Sequence, residues 1–302
     1  VTVAQPAAAR LLYLAILALI GAGWGLTQPL AKIATAGGHP PLGLVFWQLV
    51  IGAAILGAVT LARGRGLARH PEALRFYLVV ALFGTLLPGF TFYSAIARLP
   101  SSVMALLIST LPMIAFPLSL LFGIERFGWL RLAGLLLGLS GVALIVTPGG
   151  AVLGDSALLL WIPVALCGPL FYAIEGVYVA RNGTAGLDAV QAMAGASLVG
   201  AVLCLPVVLA SGQWINPIRP WGAPEAALLA SAVVNTLVYA AYVWLIARAG
   251  AVFAGQVAYL VTATGVLWAM AILGERPAPL LWAAMALMLA GVALVRPRAR
   301  SG

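Results

Sequence analysis

Three sets of polar and aromatic side chains recur at helical spacing inside sequence that is otherwise apolar. Trp24, Gln28 and Lys32 fall at intervals of four with Pro29 among them, Asn235, Tyr239 and Tyr242 fall at i, i+4 and i+7, and Gln256, Thr264 and Trp268 are four or eight residues apart. Such spacings put each set on one face of a helix. A side-chain amide both donates and accepts, an indole N–H donates, and aromatic rings offer a flat apolar wall. These groups suit a small ligand with a polar end and an apolar body, and Gln256 is the strongest single candidate for orienting one. Packing with interhelical hydrogen bonds is the competing use of the same residues.

Charged chemistry is sparse. Of seven carboxylates, Glu72, Glu125, Asp155, Asp188, Glu225 and Glu275 fall in connections or at helix ends, and only Glu175 lies within an apolar run. It stands about one and a half turns from the end of its run, where a carboxylate either couples transport to an ion or reaches out to the interface. Lys32 faces a similar choice between contacting a ligand carboxylate and reaching the interface. His39 and His70 lie in connecting segments, and the chain has no HExxH motif, no paired intramembrane aspartates and no phosphate-binding P-loop. An enzyme, a metal site and a cofactor are therefore not expected. Cys167 and Cys204 sit inside apolar runs and read as small buried residues.

These side chains need elements to hold them, and composition decides the solvent. With 64% hydrophobic and 8% charged residues, against about 25% charged in soluble domains, there is too little polar surface to cover a globule in water. A lipid bilayer is the expected partner. The formal charge of +9 comes from arginines standing singly or in short clusters at the ends of apolar runs, which points away from nucleic acid.

Runs of about 20 apolar residues predict ten membrane helices near 11–36, 42–62, 75–97, 101–122, 128–147, 156–180, 187–211, 222–247, 251–273 and 279–296. The first run continues through Ala36 without a small-residue cleavage pattern and reads as a span, not a signal peptide. A 150-residue shift lays Ala97-Arg98 on Ala247-Arg248, Glu125-Arg126 on Glu275-Arg276, and Gly141-Val142-Ala143-Leu144 on Gly291-Val292-Ala293-Leu294. The expected organisation is two repeats, residues 1–150 and 151–302, with five spans in each. An odd number of spans inverts one repeat relative to the other, the arrangement secondary transporters build around a central cavity. Placing the amino terminus inside puts twelve of the sixteen basic residues on the cytoplasmic side, leaving Lys32, Arg98, Arg219 and Arg276 outside, so both termini are expected in the cytoplasm.

The same shift maps Asn235, Tyr239 and Tyr242 onto Thr85, Gly89 and Phe92, and Gln256 onto Leu106. Thr85 and Phe92 join the candidate ligand-contacting residues, which makes the facing helices chemically unequal. Gly84, Pro88, Gly89, Pro112, Gly168 and Pro169 interrupt their spans and are candidate hinges, although Gly and Pro are also ordinary in membrane helices. Gly134, Gly138 and Gly141 form a small-residue face suited to close helix packing.

The stretch from Phe92 to Val146 contains Ala97-Arg98-Leu99-Pro100, Pro112, Phe122-Gly123-Ile124-Glu125-Arg126 and a glycine-rich helix ending Gly141-Val142-Ala143-Leu144-Ile145-Val146. Together with Trp24-Gly25 and Lys32, it resembles the EamA repeat of the drug/metabolite transporter superfamily, and the likeness covers essentially the whole chain. Within that superfamily, helices 1, 3, 4 and 9 are most similar to YddG-type bacterial exporters of aromatic amino acids. Trp47-Gln48 stands where many relatives carry an arginine. The resemblance implies an all-α polytopic protein of the bacterial inner membrane that exports small metabolites, most naturally aromatic or hydrophobic amino acids. With Glu175 the one carboxylate inside a span, facilitated diffusion without obligatory ion coupling is the expected mode. The alternatives are a multidrug exporter of planar or quaternary cations, a proton-coupled antiporter using Glu175, and a channel, which the inverted pair and scarcity of pore charge disfavour. A monomer is sufficient, and a homodimer is compatible.

Overall fold

The computed structural model describes residues 7–146, 155–218, 220–249 and 257–294, and every regular element in them is helical. The ten helices are α1 (Ala7–Ala36), α2 (Pro41–Ala62), α3 (Pro71–Ile96), α4 (Ser101–Leu121), α5 (Trp129–Val146), α6 (Ala157–Asn182), α7 (Ala189–Ala210), α8 (Ala223–Ala249), α9 (Val257–Leu273) and α10 (Pro279–Leu294). Seven of these, α1 to α4 and α6 to α8, are long and apolar enough to cross a membrane, and α5, α9 and α10 are shorter apolar helices. Large apolar side chains such as Leu19, Leu61, Leu121, Leu136, Val202 and Leu237 point outward, as a lipid-solvated surface requires.

Local chemistry sets the helix starts. α3 begins four residues before the predicted position because His70 Nδ1 accepts the Ala73 N–H, Pro71 occupies the first turn and Glu72 follows it. Asp188 caps α7 by accepting the Val190 and Gln191 N–H groups.

The principal helix contacts repeat themselves. α1 packs on α8 and α9, as α6 packs on α3 and α4; α2 packs on α8, as α7 packs on α3. The remaining large contacts join α2 to α7, α4 to α9 and α5 to α10. Exchanging each helix with the one five places on leaves this pattern unchanged, so the contacts carry a two-fold relation between the halves.

Polar contacts sort the connections into two ends. At one end, His39 meets Glu225, Trp47 donates to the Ile215 carbonyl, Gln213 accepts the Leu42 N–H, and Arg98 lies over the Trp161 ring. At the other, Arg65 meets Asp188 and Gln191 donates to the Gly66 carbonyl. This division is the one that consecutive membrane crossings demand.

Three helices depart from regular α geometry, α6 only in the 3-10 turn of its first residues, 157–160. Residues Ala81–Leu86 of α3 form a π-helical turn, in which the Leu87 N–H reaches back to the Leu82 carbonyl. Pro88 is the cause: it has no N–H for either Gly84 in α register or Phe83 in π register, so the turn is one backbone donor short. α4 is interrupted at Ser109 and Thr110, whose N–H groups bond three residues back and whose hydroxyls donate to Leu106 and Leu107 carbonyls. Pro112 opens the second segment, Leu111–Leu121.

Candidate functional site

The predicted residues of α1 and α8 meet. Trp24 Nε1 donates to Asn235 Oδ1 at 2.9 Å, and the Trp24 ring lies 5.1 Å from that of Tyr242, tilted by 59°. Trp24, Asn235, Tyr239 and Tyr242 are all half-buried, neither sealed in the core nor fully exposed. Gln28 is buried, and its Oε1 has no hydrogen-bond partner among the described residues. Close approach lets it reach inward: a Cβ on Gly25 would fall 2.8 Å from the backbone nitrogen of Gly265 in α9, so only glycine permits this crossing.

The α9 face is used differently from its sequence reading. Thr264 Oγ1 donates to the Leu260 carbonyl or the Gly21 carbonyl, and Trp268 Nε1 donates to the Ala22 carbonyl at 3.0 Å. Trp268 therefore docks α9 on α1 with its polar atom occupied. Gln256 lies outside the described residues.

Lys32 is also occupied. Its ammonium donates to the carbonyls of Ile96 (2.7 Å), Ala97 (3.3 Å) and Leu99 (2.8 Å), which match its three N–H groups. A cation at the C-terminal end of α3 is also favoured by the helix dipole. Glu275 grips the other side of the same turn, accepting from the Ser101 and Ser102 N–H groups and the Ser102 hydroxyl. Lys32 thus caps a helix and is not available to a ligand carboxylate.

Glu175 does not reach out to the interface. The Cα–Cβ bond in a helix tilts toward its N-terminus, which in α6 is toward the membrane interior. Its carboxyl rests against Gly84, where a Cβ would lie 2.6 Å from both Cδ and Oε1. Gly84 is at the middle of α3 and inside the π-helical turn. Tyr172 on α6 and Tyr239 on α8 lie close enough to feel the Glu175 charge. All three are densely surrounded by protein yet keep accessible surface, 36% in the case of Tyr172, as expected of an internal wall.

The remaining predicted positions frame this wall. Thr85 spends its hydroxyl on the Ala81 carbonyl inside the π turn, and Phe92 packs against Tyr93. Pro88 and Gly168 face each other, with a Cβ on Gly168 falling 3.8 Å from the Pro88 carbonyl; Pro169 is buried beside them, and Gly89 abuts Val45 of α2. Sequence reasoning missed Tyr172, one helical turn before Glu175. It also missed Tyr93, which donates to Gln48 Oε1 at 3.0 Å. A separate cavity of about 230 Å³, lined by Ala53, Gly57, Thr60 and Ala194 among others, lies between α2 and α7 and has no aromatic or charged wall.

Comparisons place this architecture. The model of the EamA-like transporter family matches residues 11–147 and again 159–296. The chain is 26% identical over 294 residues to the transporter YvbV of Bacillus subtilis, covering 95% of this chain and 92% of that protein. It is 25% identical to a "probable terminal-alkyne amino-acid exporter" of Streptantibioticus cattleyicolor, covering 91% and 90%. It is 26% identical to the inner membrane transporter YedA of Escherichia coli K12, covering 90% and 86%. A crystal structure 24% identical in sequence matches 92% of this chain and 96% of its own with a TM-score of 0.61, which supports the fold. Two family matches that fall on the two sets of five helices account for the repeated contacts, and the chain belongs to the EamA-like transporter family of multi-pass membrane transporters.

Proposed function

We propose that this transporter exports small amphipathic amino acids, aromatic or hydrophobic ones foremost, from the bacterial cytoplasm across the inner membrane. The observation that carries the reading is the half-buried constellation of Trp24, Asn235, Tyr239 and Tyr242, facing Tyr172 and Glu175: aromatic walls with a few convergent polar groups. Kinship with an amino-acid exporter supports the substrate class. Residues 1–150 and 151–302 act as two inverted repeats that rock about this site. The π turn at Gly84–Pro88–Gly89, the break before Pro112 and the Gly168–Pro169 pair serve as hinges. The basic residues orient both termini to the cytoplasm. Transport is facilitated diffusion, down the substrate's own gradient and without an obligatory proton or sodium gradient.

Proteoliposomes test this directly. Labelled aromatic amino acids should equilibrate at similar rates with or without an imposed pH difference. Uphill accumulation driven by that difference and lost in Glu175→Gln would replace facilitation with proton antiport. No movement of any of the twenty amino acids would overturn the substrate class. The carboxylate in an aromatic wall favours a second reading, export of planar or quaternary cations, for which methyl viologen uptake in the same vesicles is the test.

A further inference from the structure

The unexplained charge in this molecule is Glu175. Every other carboxylate has a partner. Glu72 meets His70, Glu125 meets Arg131, Asp155 accepts the Ala157 N–H, and Asp188 meets Arg65. Glu225 meets His39, and Glu275 caps α4. Among the described residues, no hydrogen bond or ion pair satisfies Glu175, although it is enclosed by protein at the depth of the middle of α3. A charge in the membrane interior without a partner is costly and is kept for a ligand or an ion.

Its surroundings say what kind of ligand. The carboxylate contributes only acceptors. It rests on Gly84, in a π turn that Pro88 leaves one backbone donor short, so the adjoining backbone also has acceptors in excess. Tyr172 and Tyr239 lie close enough to the same carboxylate to feel its charge. α3 and α4, the helices packed on α6, bring no cation to this place: α4 contains no basic residue, and Arg75, the one cation of α3, is exposed and stands nine residues before Gly84. A group of acceptors with two tyrosines nearby matches a cation with several N–H donors.

We propose that Glu175, seated on Gly84, is the anion that holds the ammonium group of a primary-amine substrate, with Tyr172 and Tyr239 flanking it. This deepens the amino-acid reading above by assigning one end of the substrate. The carboxylate end then lies toward the Trp24–Asn235 side, where the donors are. A quaternary ammonium has no N–H to give and fits less well, and a carboxylate without an amine gains nothing from Glu175.

Binding to the detergent-solubilised full chain, followed by tryptophan fluorescence, tests the assignment with four probes: phenethylamine, its N,N,N-trimethyl analogue, 3-phenylpropionate and phenylalanine. Phenethylamine should bind, and Glu175→Gln should weaken it by about ten-fold or more, the scale of one lost charge-assisted hydrogen bond. The affinity for 3-phenylpropionate should not change, and the trimethyl analogue should bind the native chain about ten-fold more weakly than the amine. Gly84→Ala is the second variant, because its Cβ displaces the carboxyl without removing it, and it should reproduce the loss. Glu175-dependent binding of phenethylamine without binding of phenylalanine would support this inference while sinking the amino-acid reading. Failure of phenethylamine to bind, equal binding to native and Glu175→Gln protein, or equal binding of the trimethyl analogue would overturn it.

Discussion

The α1–α8 and α6–α3 interfaces occupy equivalent places in the two halves, and they have been given opposite chemistry. The first is tied across the helices: Trp24 donates to Asn235 Oδ1 and its ring packs near Tyr242, which leaves the Asn235 amide N–H groups and the tyrosine hydroxyls to a ligand. The second is open: Glu175 faces a glycine in a π-helical turn and finds no partner among the described residues. Symmetry of the backbone with asymmetry of the side chains is what an unsymmetrical ligand requires, because its two ends must be told apart. On the proposal above, the hydrogen-bonded interface takes the ligand's carboxylate end and the unpaired Glu175 its ammonium end.

Replacing Pro88 should have the largest effect on this contrast. Pro88→Ala restores the missing donor, lets α3 return to α register and withdraws Gly84 from Glu175. Stability should rise by about 1–3 kcal/mol, the scale of a proline within a helix, while transport falls several-fold. Unfolding midpoints in detergent and initial rates in vesicles check the two together, and a parallel rise in both would reduce the π turn to a packing feature.

A smaller effect should come from the tied interface. Trp24→Phe, Asn235→Ala and the double variant form a cycle whose coupling should be about 0.6–1.7 kcal/mol, the range for interhelical hydrogen bonds in a bilayer. Phenethylamine affinity should move less in these variants than in Gly84→Ala. A coupling near zero would mean that the two side chains do not hold each other in place within the site.

The smallest effect serves as the control. Burial raises the Asp188 carboxyl, but hydrogen bonds from the Gln191 N–H, Arg65 and the Val190 N–H outweigh it and hold the group below the ordinary aspartate range. Its stabilisation is therefore present above the unfolded-state pKa and is lost as pH falls through the lower folded value. Because the side chain is about one-third exposed, at 32%, the loss should stay below about 1 kcal/mol. Asp188→Asn should flatten the acid limb of an unfolding curve measured between about pH 3 and pH 6 and leave ligand binding alone.

Much of the scaffold was legible in the sequence because bilayer thickness and backbone satisfaction leave few choices. Ten apolar runs became ten helices, and the repeat surfaced as a repeated contact pattern. Helical spacing also brought Trp24, Asn235 and Tyr242 together. Spacing alone could not say where a long side chain ends. Lys32 was read as a ligand contact or an interfacial cation, and it spends all three donors on α3 carbonyls. Glu175 was read as lying near the interface, and the direction of its Cα–Cβ bond takes it inward. Trp268 falls at helical spacing from Gln256 in the sequence, yet its own indole N–H is spent on the Ala22 carbonyl of a neighbouring helix. Tyr93 escaped notice because only tertiary packing brings it to Gln48, whereas Tyr172 stands one turn before Glu175 on the same helix, a spacing that was legible once Glu175 was taken as part of the site.

The double grip on the α3–α4 turn has a mechanical consequence. Lys32 holds three carbonyls on one side of a turn only a few residues long, and Glu275 holds three donors on the other. Pro100 stiffens the link between them, so slack on one side cannot be taken up by the other. Parting this end of the molecule means releasing both hands together. If the halves rock as proposed above, such a fastening gives way as one unit, which makes half-open forms scarce and the moment of opening abrupt.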